Sequence, residues 1–364
     1  VNGIDIDLAV KILVALAPAP LLLVAFDRLD TFKLVSLGDL SRTLAAGAVL
    51  SAVSFVINGG SLSALPIGFS DYSRYVAPVV EEGLKAAFLA VLLWRSRIGF
   101  AIDAAIQGAA LGVGFAVCEN AYYLWHVDTS LGVWLVRGFG TALMHGGASA
   151  IFAVLGHALI AGRERARLFA LLPGFAGAVL AHGAFNQLPE RPLLAMAGAL
   201  IGTPFLLLAS EYIGTRTADR RLKQEYASHV HMLEELEAGE GEAGRLARTL
   251  SARLDQSQSA EVLAYLKLHL GLLAEAEERL LAMEEGHAPS PDPTLKERFA
   301  HLHAAEKKLG RSILRSLRAH LHFTREEMWE LHHLEADRQT VLHRRLLRFR
   351  KRAANAGAET MPTP

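Results

Sequence analysis

Long apolar runs follow one another through the first 215 residues and stop there. An α-helix rises 1.5 Å per residue, so about 20 apolar residues cross a hydrocarbon layer. Runs of that order lie at 6–26, 38–57, 75–94, 100–125, 137–162, 167–188 and 192–213. Pro18 and Pro20 break the first run, and Pro204 is expected to kink the last. Asp5 and Asp7 lead the first run where a signal peptide would carry basic residues, so it is read as a retained span. After Arg216 the pattern turns amphipathic. An apolar stripe runs through 260–283, a Pro-rich acidic linker covers 284–293, and helical periodicity resumes over 294–309 and 311–350. The expected fold is all-α: a polytopic membrane bundle of about seven spans over 1–215, a soluble helical domain over 216–350 and a disordered tail over 351–364.

The formal net charge is 0, but the average hides two unlike halves. Residues 1–215 hold 13 of the 37 Lys+Arg and 14 of the 37 Asp+Glu, leaving 24 and 23 for 216–364. This balance argues against nucleic acid as a partner. Cys118 is the only cysteine, so no intrachain disulfide can form. Basic residues collect in alternate connections: Arg28, Lys33 and Arg42; Arg95 and Arg97; Arg163, Arg165 and Arg167; then Arg216, Arg220, Arg221 and Lys223. The positive-inside rule then places the N-terminus outside and the C-terminus in the cytoplasm. The Gly- and Ser-rich connection 58–74 falls outside.

Ionisable residues at bilayer depth cost about 2.5–3.5 kcal/mol each on insertion scales and tend to mark function. The run 75–94 carries Glu81, Glu82 and Lys85, with both carboxylates one turn from the lysine. Glu119 and Asn120 lie near the outer end of the fourth run, His145 near that of the fifth, and His182 with Asn186 near that of the sixth. By helical rise the ionisable groups sit roughly 8–12 Å below one face, with Asn186 above them. Phe115 and Glu119 share a helix face, as do His182 and Asn186. Glycines surround them, at 108, 112 and 114, at 146 and 147, and at 174, 177 and 183, as close helix packing requires. Asp103, His157 and Glu211 are read as caps or interfacial groups, Gln107 as packing or part of a polar path. His301, His303, His332 and His333 are read as surface residues.

At these residues the chain resembles the PrsW family of intramembrane proteases, within the wider CAAX-protease and bacteriocin-processing superfamily. EExxK stands as Glu81-Glu82-Gly83-Leu84-Lys85, FxxxEN as Phe115 to Asn120, a His-containing block as His145 to Gly156, and HxxxN as His182 to Asn186. The resemblance covers roughly 70–190 and implies hydrolysis of a peptide bond in a membrane-anchored protein, such as an anti-sigma factor, on the extracytoplasmic side of a bacterial cytoplasmic membrane. It implies Glu81 as base, Glu82 and Lys85 tuning its charge, Glu119 or His145 holding the water, and His182 with Asn186 at the oxyanion. Phe115 and Asn120 support the site. The chemistry is either glutamic-type, without a cofactor, or zinc-dependent, with Glu82, Glu119, His145 and His182 as ligands. No HExxH helix is present.

Three other readings stay open. Gly147-Ala148-Ser149-Ala150 faintly resembles a serine-protease turn, with His182 as base. The polar groups could line an ion or proton path of a transporter, or be vestigial in a non-catalytic membrane scaffold. Residues 216–350 are expected to bind a cytoplasmic protein or to self-associate, on charge and amphipathicity alone.

Overall fold

The computed structural model describes residues 6–29, 35–126, 130–160, 168–251, 255–284, 287, 292–321 and 323–336. The basic residues Lys33, Arg163, Arg165 and Arg167, much of the 284–293 linker and the tail 351–364 lie outside them. The described residues form helices and connections, with no strand among them. Contacts divide the chain into Val1–Thr215 and Arg216–Pro364.

The first unit contains α1 (Ile6–Leu16), α2 (Pro18–Leu29), α3 (Leu37–Ala64), the single turn α4 (Phe69–Asp71), α5 (Ala77–Trp94), α6 (Ala101–His126), α7 (Leu131–Val136), α8 (Ala142–Ile160), α9 (Leu172–Asn186) and the start of α10 (Pro192–Ala238). Five stretches among the described residues are long and apolar enough to cross a membrane: 37–64, 101–126, 131–160, 168–186 and 192–210. The other two expected spans differ from that standard. Ala17 separates α1 from α2, just ahead of Pro18, and α5 is only 18 residues long with Glu81, Glu82 and Lys85 inside it. Helix α3 runs seven residues beyond the expected end at 57, so the connection expected over 58–74 is mostly helical.

Helix α6 is the post around which this unit packs. Of its apolar stretch 83% is buried, against 22% for α9 and for the apolar part of α10. Its glycines make that possible. A Cβ on Gly112 would strike the backbone of His145 on α8, and one on Gly108 would meet the backbone of Ser149 and Ala150. Gly114 lies against Leu44 of α3, and Gly47 of α3 lies against Leu111. Outward-facing Val49, Val56, Leu180, Ile201 and Phe205 are exposed, an apolar surface suited to lipid. Gly112→Ala should therefore push α8 off α6 and destabilise the bundle by about 1–3 kcal/mol. Gly198→Ala on α10, where nothing stands within 4 Å of the added carbon, should cost nothing measurable. Thermal unfolding of the two variants checks this.

Lesser polar groups find local partners. Thr43 Oγ1 donates to Gln107 Oε1 at 2.6 Å, tying α3 to α6. Asp103 accepts from the Phe100 N–H at 3.3 Å, and His157 Nε2 meets the Gly99 carbonyl at 3.1 Å.

The second unit joins the end of α10 with α11 (Gly241–Ser251), α12 (Gln256–Glu284), α13 (Leu295–His320) and α14 (Arg325–Glu335) around Tyr265, Leu270, Leu273, Phe299 and Leu331. Gly310, at φ 73°, bends α13, and Thr324 with Glu327 forms a capping box on α14. The expectation of surface histidines fails at His333, which is buried, stacks on Trp329 and bonds its carbonyl at 3.1 Å. His301 and His303 are exposed. This unit also buries His229, Glu277 and Glu330 and half-buries Glu225. Burial pushes the Glu225 carboxyl up to about 7 and raises Glu277 and Glu330, the last well above the usual range. Burial opposes charge on His229 too, but hydrogen bonds to Glu277 and Glu327 hold its pKa up at about 10.

Candidate active site

The site is built where two helices are widened by a π turn. Pro78 has no N–H, so the Arg74 carbonyl cannot receive the usual helical bond. The chain answers with a π segment, Tyr72–Val76, in which the Ala77 N–H reaches back to the Tyr72 carbonyl. The Ser73 carbonyl is thereby released, and Asn186 Nδ2 donates to it at 2.8 Å. Gly183 lies against the Arg74 carbonyl. A second π segment, Arg137–Thr141, leads into α8. There the Arg137 carbonyl receives the side chains of Asn120 and Thr141. Such turns recur at functional sites because they re-aim side chains.

Glu81 and Glu82 of α5 face different surroundings. Glu81 lines a cavity of about 1030 Å³, together with Phe115, Glu119, His145, His182 and Asn186. Asn58 Nδ2 donates to Glu81 Oε1 at 3.0 Å, and the Tyr72 hydroxyl donates to Asn58 Oδ1 at 2.9 Å. This chain fixes one carboxylate oxygen and leaves Oε2 facing His182 Nε2 at 3.9 Å. Glu82 does not line the cavity. It is 1% exposed, and its Oε1 holds Lys85 Nζ at 2.6 Å and His182 Nδ1 at 2.8 Å.

These contacts set the tautomers. A lysine ammonium only donates. Lys85 Nζ lies 2.9 Å from His145 Nδ1, so that nitrogen accepts and His145 carries its proton on Nε2. It gives that proton to Glu119 Oε2 at 2.8 Å, while Arg137 Nη2 holds Glu119 Oε1 at 3.0 Å. His182 gives its Nδ1 proton to Glu82, which leaves the Nε2 lone pair directed at Glu81. The two imidazoles meet edge to face, 4.7 Å between centres. Phe115 backs the cluster, its ring 4.9 Å from His145 and 4.6 Å from Lys85 Nζ.

The residues expected from the sequence thus divide by position. Glu81, Glu119, His145, His182, Asn186 and Phe115 share the cavity wall. Glu82 and Lys85 stand behind it as a buried pair, and Asn120 points away, toward the Ala15 and Arg137 carbonyls. Asn186 spends one amide proton on Ser73, and His182 Nε2 becomes an oxyanion donor only on taking a second proton. Ser149 is fully buried between α8 and α6 and outside the cavity, so it is no nucleophile. Gln107 and Thr43 also lie outside the cavity. Three participants were not legible: Asn58, Tyr72 and Arg137. Asn58 follows an apolar run and could have been seen as a polar group on the same helix. Arg137 opens the fifth apolar run, where the sequence pattern marks it only as a flanking charge.

The metal question turns on donor chemistry. One ligand atom each from Glu81, His145 and His182 lies within 4.8 Å of the others. This set shares His145 and His182 with the expected one and has Glu81 where that one has Glu82 and Glu119. Glu82 and Glu119 are instead the carboxylate partners of the two imidazoles. Glu81 Oε2 and His182 Nε2 offer lone pairs that suit a zinc-type ion, whereas both nitrogens of His145 are engaged, by Lys85 and by Glu119, so His145 would ligate only on giving up one of them.

Residues 36–209 match the family model described as PrsW family intramembrane metalloprotease. No curated protein and no solved structure matches the chain.

Proposed function

Since residues 36–209 are a PrsW-family intramembrane protease domain, we propose that the cavity between α5, α6, α8 and α9 is where it hydrolyses one peptide bond of a membrane-anchored protein. The observation that carries this is the convergence of Glu81, His145 and His182 from three helices on one cavity wall. A water between Glu81 Oε2 and His182 Nε2 loses its proton to Glu81 as it attacks the scissile carbonyl. Glu82 orients His182 for this, Lys85 fixes His145, and Arg137 with His145 holds Glu119 in the wall. Protonated Glu81 then returns the proton to the leaving amine. A zinc-type ion held by Glu81 and His182, and by His145 once it gave up Lys85 or Glu119, would add Lewis acidity at the carbonyl.

The spread of basic residues supports a site near the outer face of a bacterial cytoplasmic membrane with the unit after Arg216 in the cytoplasm. A membrane-anchored regulator of the anti-sigma class is the first candidate substrate, which would make this regulated proteolysis. The cytoplasmic unit would bind a protein partner or a second copy. A transporter is disfavoured because the cavity does not extend to the Thr43–Gln107 pair, about 18 Å along α6 from Glu119.

Purified protein in proteoliposomes with a single-span substrate tests the proposal. Cleavage by the wild type and its loss in His182→Ala are expected; equal cleavage by both would refute it. Activity lost on chelation and restored by zinc would mark the metal-dependent form, full activity in metal-free protein the glutamic one. Asn58→Ala should lower kcat about 100-fold, because Glu81 loses the donor that orients it. Thermal unfolding should barely change, so turnover and melting measured together separate positioning from stability.

A further inference from the structure

A second convergence of ligand-type side chains lies in the helical unit, on α10, α12 and α14. Glu225 and His229 are one turn apart on α10, Glu277 is on α12, and Glu327 and Glu330 are one turn apart on α14. One oxygen each from Glu225, Glu277 and Glu330 lies within 4.8 Å of the others. Arg221 clasps the group, with Nη2 2.9 Å from Glu330 Oε1 and Nε 3.2 Å from Glu225 Oε2. His229 reaches Glu277 Oε1 at 2.8 Å through Nδ1 and Glu327 Oε1 at 3.4 Å through Nε2.

Four carboxyl groups, of Glu225, Glu277, Glu327 and Glu330, gather on Arg221 and His229, and burial raises the pKa of Glu225, Glu277 and Glu330, as expected where acids are enclosed with too little counter-charge. Ionising them all together would cost several kcal/mol per ion, which a bound cation would offset. Glu330 shows where one is needed. The residue is 0% exposed, and its Oε2 is buried with no hydrogen-bond partner among the described residues. An enclosed carboxyl oxygen without a partner, beside two further carboxyl groups, has the surroundings of a cation ligand.

We propose that Glu225, Glu277 and Glu330 ligate a divalent cation inside the helical unit, with Arg221 and His229 orienting the carboxylates. Oxygen ligands favour a hard ion of the Mn²⁺, Mg²⁺ or Ca²⁺ kind. The ion cross-links α10, α12 and α14, so its occupancy governs how firmly this unit is closed.

The test uses the purified full-length chain and Mn²⁺, read by electron paramagnetic resonance of free and bound ion. His182→Ala removes a ligand of the membrane site and isolates the second one. That chain should retain about one Mn²⁺, and adding Glu277→Gln or Glu330→Gln should weaken binding more than about 100-fold, beyond the usual loss from a mere outer partner. No bound Mn²⁺ in His182→Ala, or equal binding after either glutamine substitution, overturns the proposal. If the glutamine variants do not fold, the His182→Ala chain decides alone: Mn²⁺ that raises its melting temperature supports the site, and an unchanged melt overturns it. Neither readout depends on protease activity, so failure here leaves the membrane site untouched.

Discussion

Glu81→Gln should slow peptide hydrolysis by about 10²–10⁴-fold, the range a general base supplies, while leaving the bundle folded. Glutamine has the same length and keeps an oxygen for the Asn58 amide, so the contact at 3.0 Å can survive. What it loses is the oxygen that faces His182 Nε2 across 3.9 Å and can hold a proton. Its charge is also absent, so ligation of a zinc-type ion weakens in the same substitution. Substrate binding rests on the whole cavity wall and should persist, so the variant should retain uncut substrate. Turnover in proteoliposomes, with recovery of bound protein by mass spectrometry, reads both effects. Wild-type turnover in Glu81→Gln would remove this residue from the chemistry.

Lys85→Met should have the largest effect on stability. The ammonium is 0% exposed, 2.6 Å from Glu82 Oε1 and 2.9 Å from His145 Nδ1. Breaking a buried ion pair from one side costs about 3–5 kcal/mol because the remaining charge is stranded. Methionine keeps most of the packing on Phe115, so the loss reports charge more than volume. The double variant Glu82→Gln, Lys85→Met should therefore be more stable than Lys85→Met alone. Its activity should stay low, because neither Glu82 nor Lys85 then holds its histidine. Thermal unfolding of the wild type, Glu82→Gln, Lys85→Met and the double variant checks the cycle, and strictly additive losses would mean that the pair is not coupled.

Much of this was legible in the sequence, for a physical reason. Charged and imidazole residues inside apolar runs are costly enough to stand out singly, and helical rise gives their depth before any tertiary contact is known. Glu81, Glu119, His145 and His182 were found that way. The family resemblance implies Glu81 as base with Glu82 tuning it, but the helix pattern alone does not separate the two, because adjacent residues point about 100° apart and only packing decides which one meets the cavity. Asn58 and Tyr72 were missed because α3 continues past its apolar run and a π turn precedes Pro78. The cluster of Glu225, Glu277 and Glu330 was hidden in charge-rich amphipathic helices, where a buried carboxylate looks like any solvated one.

The central claim is that a solvent molecule activated beside Glu81 and His182 cuts a membrane-anchored chain. The most direct measurement takes the protein retained by Glu81→Gln, reconstitutes it with wild-type enzyme in isotope-labelled water and weighs the products. The account predicts cleavage at one bond near an end of the membrane segment, one labelled oxygen in the new carboxyl terminus, and no product with Glu81→Gln. Product formed without solvent oxygen, or formed equally by Glu81→Gln, would contradict it.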